Sequence, residues 1–381
     1  MTDDIAKDAG YEKYGVGHNF GYIIYSKLGQ KVSSPPTSCK GLHKKIYLKI
    51  DHYFLFYMWT NIDVVMKLRH LYGLIDHPQV RPAPPREMDK ERIMKIVYDK
   101  IMEGKPLMFA RFGSIECDVC ENVKYTLHEK RSNWKFIRWR GQPNFINPFV
   151  TPLFSKNAGF FPSDSVEHLE RFYQLMVNSM PEVDILASWC YNEADFKEKM
   201  KNAIKVDRET STPLLTDKPW TLALEGKKVL VVHPFAETIK KQFARIDKIF
   251  PNATIWPDCQ LDVMKAVQTA GSNKTQFKDW FEALHWMEDE IAKRNFDVCI
   301  LGCGAYGFPL AAYVKRMGKQ AIHMGGGLQL LFGIKGRRWE TLSEYLDQFP
   351  YAKTYYNEYW VRPSNEETPP NAEGVEGSCY W

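Results

Sequence analysis

Apolar and polar positions change rhythm at a proline-rich stretch, Pro78-Gln-Val-Arg-Pro-Ala-Pro-Pro85. Ahead of it, residues 1–40 are Gly- and Ser-containing and broken by Ser33-Ser-Pro-Pro36, so they are expected to be largely irregular. Residues 41–73 have helical spacing, with Leu42, Ile46, Ile50, Tyr53, Phe54 and Tyr57 apolar and Lys44, Lys45 and Lys49 on a neighbouring face. Such a helix either packs on the main domain or rests in the interface of an anionic membrane, a peripheral contact. The prolines cannot continue a helix, so residues 78–87 read as a linker and 1–77 as an N-terminal extension.

Past the linker, short apolar runs alternate with segments of helical period. The expected helices cover 88–103, 166–180, 193–204, 236–249, 277–294 and 305–317. The expected strands are Pro106–Ala110, Asp184–Trp189, Lys228–His233, Asp297–Leu301 and Gln320–Met324. Near-continuous apolar strands separated by helices imply a parallel sheet covered on both faces. The fold class is therefore α/β, a Rossmann-like, mostly parallel sheet spanning 88–351. The stretch 352–381 is aromatic, Pro-rich and acidic, and is expected to dock on that domain.

Composition narrows the classes. Of 381 residues, 44% are hydrophobic and 25% charged, which excludes disorder of the whole chain. The net charge of +5, from 51 basic and 46 acidic residues, is too small to argue for a nucleic-acid partner. The most apolar stretch, His52–Ile62, has 11 residues between Asp51 and Asp63; a spanning helix needs about 20. The acidic opening Met1-Thr-Asp-Asp reads as no secretory signal, and the eight scattered Cys do not form a disulfide framework. The cytoplasm, or its membrane-facing edge, is the expected compartment.

In open parallel sheets, ligands bind beyond the carboxyl ends of the strands. Four such ends carry unusual residues. After the first comes Arg111-Phe-Gly-Ser-Ile-Glu116, where Gly113 permits a tight turn, Ser114 suits a helix N-cap, and Glu116 either caps the helix or holds a divalent cation such as Mn²⁺ or Mg²⁺. Arg111 at a strand end suits a phosphate or carboxylate. His233 ends a buried strand and is a candidate general base or phosphate contact. Gly302-Cys-Gly-Ala-Tyr-Gly307 is a literal G-x-G-x-x-G, so Gly302, Gly304, Tyr306 and Gly307 are candidates to approach a phosphate. No acidic residue follows about 20 positions later, where a nicotinamide fingerprint wants one. His323, Gly325 and Gly326, then Lys335 and Arg337, complete the fourth end, a glycine loop followed by cations.

Cys117-x-x-Cys120 lacks a second clean pair for zinc and reads as two buried thiols. Trp134-Lys-Phe-Ile-Arg-Trp-Arg140 reads either as an amphipathic strand or as an aromatic, basic surface for sugar rings. Neither a nucleophile elbow nor a Walker loop is present, so Ser/His/Asp hydrolysis and ATP hydrolysis lack support.

These motifs form a pattern. Arg111–Glu116, Asn157-Ala-Gly-Phe-Phe-Pro162, Val231–Phe235, the block Gly302–Lys315 with His323–Trp339, and Trp360-Val-Arg-Pro363 to Cys379-Tyr-Trp381 together resemble proteins related to the GT-D-fold glycosyltransferases, often found with surface-polysaccharide genes. In that family the first motif is Arg followed by Asp-Gly-Glu, whose carboxylates serve a divalent metal and a sugar nucleotide. Here Glu116 matches the Glu and Ser114 stands where the Asp would be; Arg111, Gly113 and Glu116 carry over. The resemblance implies transfer of a hexosyl or pentosyl group from a nucleotide sugar to a glycan acceptor. Glu116 and His233 are then the candidate bases, with Glu116 also the candidate metal ligand. Arg111, Gly113, Ser114, the 302–307 loop, His323, Gly325, Gly326, Lys335 and Arg337 would hold the nucleotide sugar. Two other readings stand beside this one: an NAD(P)-dependent oxidoreductase on the G-x-G-x-x-G loop, and a non-catalytic sugar-binding or scaffold member.

Overall fold

The structure is a computed structural model that describes residues 11–16, 23–27, 62–75, 83–129, 132–341 and 354–381. The described residues fall into two compact units, one drawn from 1–82 and 121–147, the other from 83–120 and 148–381. Of the helix expected over 41–73, residues 41–61 lie outside the described residues and 62–73 fall within the helix Ile62–Ile75.

In the first unit, Tyr11–Val16 (β1) and Ile23–Lys27 (β2) pair antiparallel where an irregular stretch was expected. Both are rich in the aromatic and β-branched residues that favour strands. Ile62–Ile75 (α1) packs on a short helix, Trp134–Ile137, around Val65, Phe136 and Ile137. The 134–140 stretch is thus helical at its start, and its aromatics are engaged in packing. Tyr72 meets Trp134 edge-on, and the Arg69 guanidinium lies 4.0 Å over the Phe136 ring and 3.7 Å over that of Trp139.

The second unit is built on a seven-stranded sheet in which every pair is parallel. Its strands are Leu107–Ala110 (β3), Ile185–Ser188 (β4), Ile204–Asp207 (β5), Lys228–His233 (β6), Gln260–Lys265 (β7), Val298–Leu301 (β8) and Gln320–His323 (β9). The order is β5-β4-β3-β9-β8-β6-β7. The chain therefore runs outward from β3 to one edge and from β6 to the other, and β8 and β9 then fill the centre. The architecture is α/β and Rossmann-like, as the sequence pattern implies.

Alternation along the strands divides the core. Phe109, Ala187, Val231, Ile300 and Ile322 share one cluster with Ile93, Val97 and Ile101 of Lys90–Met102 (α2), with Trp220, and with Leu328, Leu330 and Phe332. The intervening residues Met108, Leu186, Val232, Cys299 and Ala321 are also buried. They face the side on which Gly307–Arg316 (α8) lies against β3, β8, β9 and Val166–Ser179 (α5). α2 starts at Asp89, whose carboxylate accepts from Arg92 N at 2.8 Å. Its C-terminal end is held by Gln320, whose amide donates to the Ile101 and Lys105 carbonyls at 3.0 Å.

Two elements depart from expectation. Residues 193–204 are not one helix: a 3-10 segment, Tyr191–Phe196, gives way to turns and then β5. β7 was not anticipated. Both new strands are sheet edges whose sequences, Ile-Lys-Val-Asp and Gln-Leu-Asp-Val-Met-Lys, mix exposed and buried positions. An edge strand has no need of the apolar run that marks a central one. Among the described residues no helix is long and apolar enough to cross a membrane.

Packing on the α8 side centres on aromatic rings. Phe172 of α5 meets Phe154, Phe160 and Trp280 with centroids 4.8, 5.3 and 5.4 Å away. It is fully buried. Phe172→Ala is expected to cost about 3–5 kcal/mol, read as a lowered denaturant midpoint with unchanged slope. A loss under about 1 kcal/mol would mean that this cluster is not tightly packed.

Candidate functional site

β3 and β9 are neighbours, with Leu107 beside Gln320 and Phe109 beside Ile322. Beyond their carboxyl ends the chain leaves in opposite directions. After β3, Phe112 stacks on Phe308 of α8 at 4.5 Å, and Ser114–Val123 (α3) begins. After β9, the 3-10 segment Gly325–Phe332 joins the core on the other face, with α2. This opposed exit opens a crevice at the strand ends.

Arg111 lies at its floor, against the backbone of Gly325. A Cβ built on Gly325 would fall 2.7 Å from Nη2 and 2.8 Å from Cζ of Arg111, and Gly325 has φ +65°. Glycine is thus required twice there, for the left-handed backbone and for the approach of the guanidinium. Among the described residues no hydrogen bond or ion pair engages that guanidinium, and its buried Nε has no partner.

A second arginine comes from β5. Asp207 ends the strand, forms an ion pair with Arg86 at 2.7 Å, and accepts from the N–H groups of Glu209 and Thr210 at 3.1 and 3.0 Å. That turn presents Arg208, Ser211 and Thr212 to the same cavity as Arg111. Arg208 lies 3.9 Å over the ring of Trp189, and Arg111 lies 5.9 Å from the same ring. Trp189 is anchored by its indole N–H, which donates to Phe112 O at 2.8 Å. Arg208 also pairs with Glu209. The third arginine, Arg338, enters from the segment after Ile334, paired with Glu376 and donating to Tyr380 Oη at 3.4 Å. The side chains of Arg208 and Arg338 are each only 17% exposed, which strengthens their fields relative to free surface charges.

These groups wall a cavity of about 80 Å³, well above the roughly 10–15 Å³ that one water needs. Among the described residues, three arginines and one carboxylate, Glu209, line it; Arg208 pairs with Glu209 and Arg338 with Glu376, so Arg111 supplies the uncompensated positive charge. His323 also lines the cavity; the residue is 5% exposed and its Nδ1 has no hydrogen-bond partner. Burial, helped by the Arg111 charge and opposed by the Arg111 main chain, drives its pKa down to about 3, so the imidazole is neutral.

The structure brings Arg111, His323 and Gly326 of the expected residues onto the cavity wall, with Gly325 directly beneath Arg111. Others have different surroundings. Gly302 lies under the His233 ring, with a built Cβ 2.5 Å from Cδ2, and Gly307 under the His323 ring, 2.2 Å from Nε2. Tyr306 stacks on Trp280 at 4.7 Å, and Gly304 is exposed. The fingerprint glycines here make room for imidazoles. His233 Nδ1 accepts from Phe235 N at 3.0 Å, and burial drives its pKa to about 3. The Lys335 ammonium lies 5.2 Å over the Tyr356 ring, and the exposed Arg337 donates to Gly377 O at 3.2 Å. From the expected cluster of Lys335, Arg337 and Arg338 it is Arg338 that lines the cavity. Arg208 was missed because β5 was. An arginine directly after a strand-ending Asp was the available signal.

Gly113 O accepts the first helical bond of α3, from Cys117 N at 3.0 Å, so Ser114 lies inside the helix and Gly113 is at the cap. The Glu116 carboxyl folds back over Gly113, with its Oε2 1.9 Å from where a Cβ would be. Desolvation raises its pKa, against the bond from its own backbone N–H and the nearby Arg111 charge, while Glu376 pushes it up further. A single carboxyl turned over Gly113, with the hydroxyl of Ser114 as its neighbour, is a poor donor set for a divalent cation. Among the described residues no three His, Cys, Asp or Glu side chains form a metal-holding group.

Two measurements probe this geometry. The buried His233 and His323 have folded pKa values near 3 against an ordinary 6.5. The unfolded chain therefore binds more protons below pH 6.5, and the stability from neutral imidazoles is lost as pH falls through that window. Each should cost about 1.4 kcal/mol between pH 7.5 and 5.5. Unfolding titrations of His233→Gln and His323→Gln should show shallower acid-side slopes than the parent, and identical slopes would contradict the neutral assignment. Gly325→Ala should lose about 1–2 kcal/mol from its left-handed backbone and shift Arg111. Calorimetric titration with pyrophosphate should then show at least tenfold weaker binding than the parent. No family model matches this chain, and neither does any curated protein or any solved structure.

Proposed function

We propose that this protein is a glycosyltransferase that takes a sugar from a nucleotide-sugar donor for the assembly of a polysaccharide or glycoconjugate. The observation that carries the reading is the cavity where β3 and β9 send their chains to opposite faces, walled by Arg111, Arg208 and Arg338. Departure of a nucleoside diphosphate needs its developing charge met by fixed donors, and guanidinium groups offer paired N–H donors matched to phosphate oxygens. The about 80 Å³ of the cavity suits the anionic part of such a donor, with sugar and nucleoside extending beyond it.

One observation favours a second reading, sugar-nucleotide binding without transfer. Among the described residues the only carboxylate on the wall, Glu209, is paired with Arg208, and neither Glu116 nor His233 lines the cavity. His323 does, but a pKa near 3 makes it a weak base at neutral pH.

Isothermal titration against a panel of nucleotide sugars tests the shared part, and a turnover assay for released nucleoside diphosphate separates the two. Binding is expected for at least one donor. Arg111→Ala is expected to weaken it about 10- to 100-fold, the value of one lost charge-assisted contact. Absence of binding across the panel would sink both readings.

A further inference from the structure

We infer that this site neutralises its anionic ligand with the guanidinium groups of Arg111, Arg208 and Arg338, and without a divalent cation. The inference rests on the nucleotide-sugar reading and departs from what the family resemblance implies. Two independent sets of observations support it.

The first concerns the donors a cation would need. The family's paired carboxylates are reduced to Glu116, because Ser114 occupies the other position. The Glu116 carboxyl is turned over Gly113 and does not line the cavity. The wall's own carboxylate, Glu209, is engaged by Arg208. Placing a dication among three arginines with no free carboxylate facing it costs charge repulsion that nothing on the wall offsets.

The second concerns what stands there instead. Three cations reach one cavity from three separated parts of the chain: the end of β3, the end of β5 and the segment after Ile334. Each is held in place. Arg111 rests on Gly325, Arg208 on Trp189, and Arg338 against Tyr380. The His323 Nδ1, buried and without a partner, adds a polar contact that cannot repel a cationic neighbour while neutral. A diphosphate carries about two to three negative charges at neutral pH; Arg111 meets it unpaired, and Arg208 and Arg338 meet it as their pairs with Glu209 and Glu376 loosen. Arg338 gives up its contact with Glu376 only to a stronger anion, so Glu376 acts as an internal competitor.

The experiment is calorimetric titration of the parent chain with inorganic pyrophosphate and with UDP, in EDTA and in excess Mn²⁺ or Mg²⁺. The expected result is binding in EDTA, with a Kd that changes less than threefold when the metal is added. Arg208→Gln should weaken binding at least tenfold in both buffers, and Glu376→Gln should tighten it severalfold. Binding that appears only with metal, or tightens more than tenfold with it, overturns the inference and leaves the nucleotide-sugar reading standing. Failure to bind in either buffer removes that reading and this inference together. The metal comparison is made on the parent chain, so it holds even if a variant does not fold.

Discussion

The contact between the Arg111 guanidinium and the backbone of Gly325 organises this end of the sheet. It joins two neighbouring strands whose following segments leave to opposite faces, and it is made where they part. A side chain at 325 would need the space that Arg111 fills, and its backbone would be strained at φ +65°. With the guanidinium fixed and unpaired, its charge reaches the groups around it. It helps hold His323 neutral, and it partly opposes the burial that raises the Glu116 pKa. A fixed, unpaired cation at a strand-end crevice is where the proposed reading puts the anionic ligand.

The central sheet was legible because its strands are short apolar runs buried on both faces, and β6 matches the expected bounds residue for residue. The edges were not. β5 and β7 carry Lys205, Asp207, Asp262 and Lys265 within strands of which one side is open, so no apolar run marks them. That gap propagated to the site, because Arg208 is placed by the end of β5. The candidate glycines show a different limit. Sequence reveals that Gly302, Gly307, Gly325 and Gly326 have no side chain, but not what approaches them. Here His233, His323, Arg111 and Tyr380 do, in that order. A glycine-rich loop after a strand has the same spacing whether it makes room for a phosphate or for an imidazole.

Aromatic residues make up 14% of the chain, and those of the second unit are largely engaged in packing. Phe160, Phe172, Trp280 and Tyr306 form one cluster, and Trp360 and Trp381 join the core on the other face. The final stretch matters because it brings charge with it. Gln329 donates to Tyr380 O at 3.1 Å, Trp381 donates its indole N–H to Glu367 O at 3.2 Å, and the Glu367 carboxylate caps the first turn of Ala236–Phe243 (α6). Those anchors set Glu376 and Tyr380 beside Arg338. Neither the arginine's aim nor its acidic partner follows from local sequence, since both depend on contacts about 40 residues apart.

The chemistry of the wall has a consistent bias. It is rich in fixed positive charge and poor in groups that exchange a proton near neutral pH: Glu209 is ion-paired and His323 stays neutral down to about 3. A diphosphate leaves a sugar as a stable anion. Its departure needs charge stabilisation and no general acid, because the leaving oxygen belongs to a strongly acidic group. In the proposed reading, cations held by Gly325, Trp189 and Tyr380 would supply that stabilisation. The demand for a base falls on the acceptor hydroxyl, whose proton is lost once the bond to the leaving group has weakened. In that reading the cavity would take the donor half of a transfer, and the acceptor would bind over its mouth.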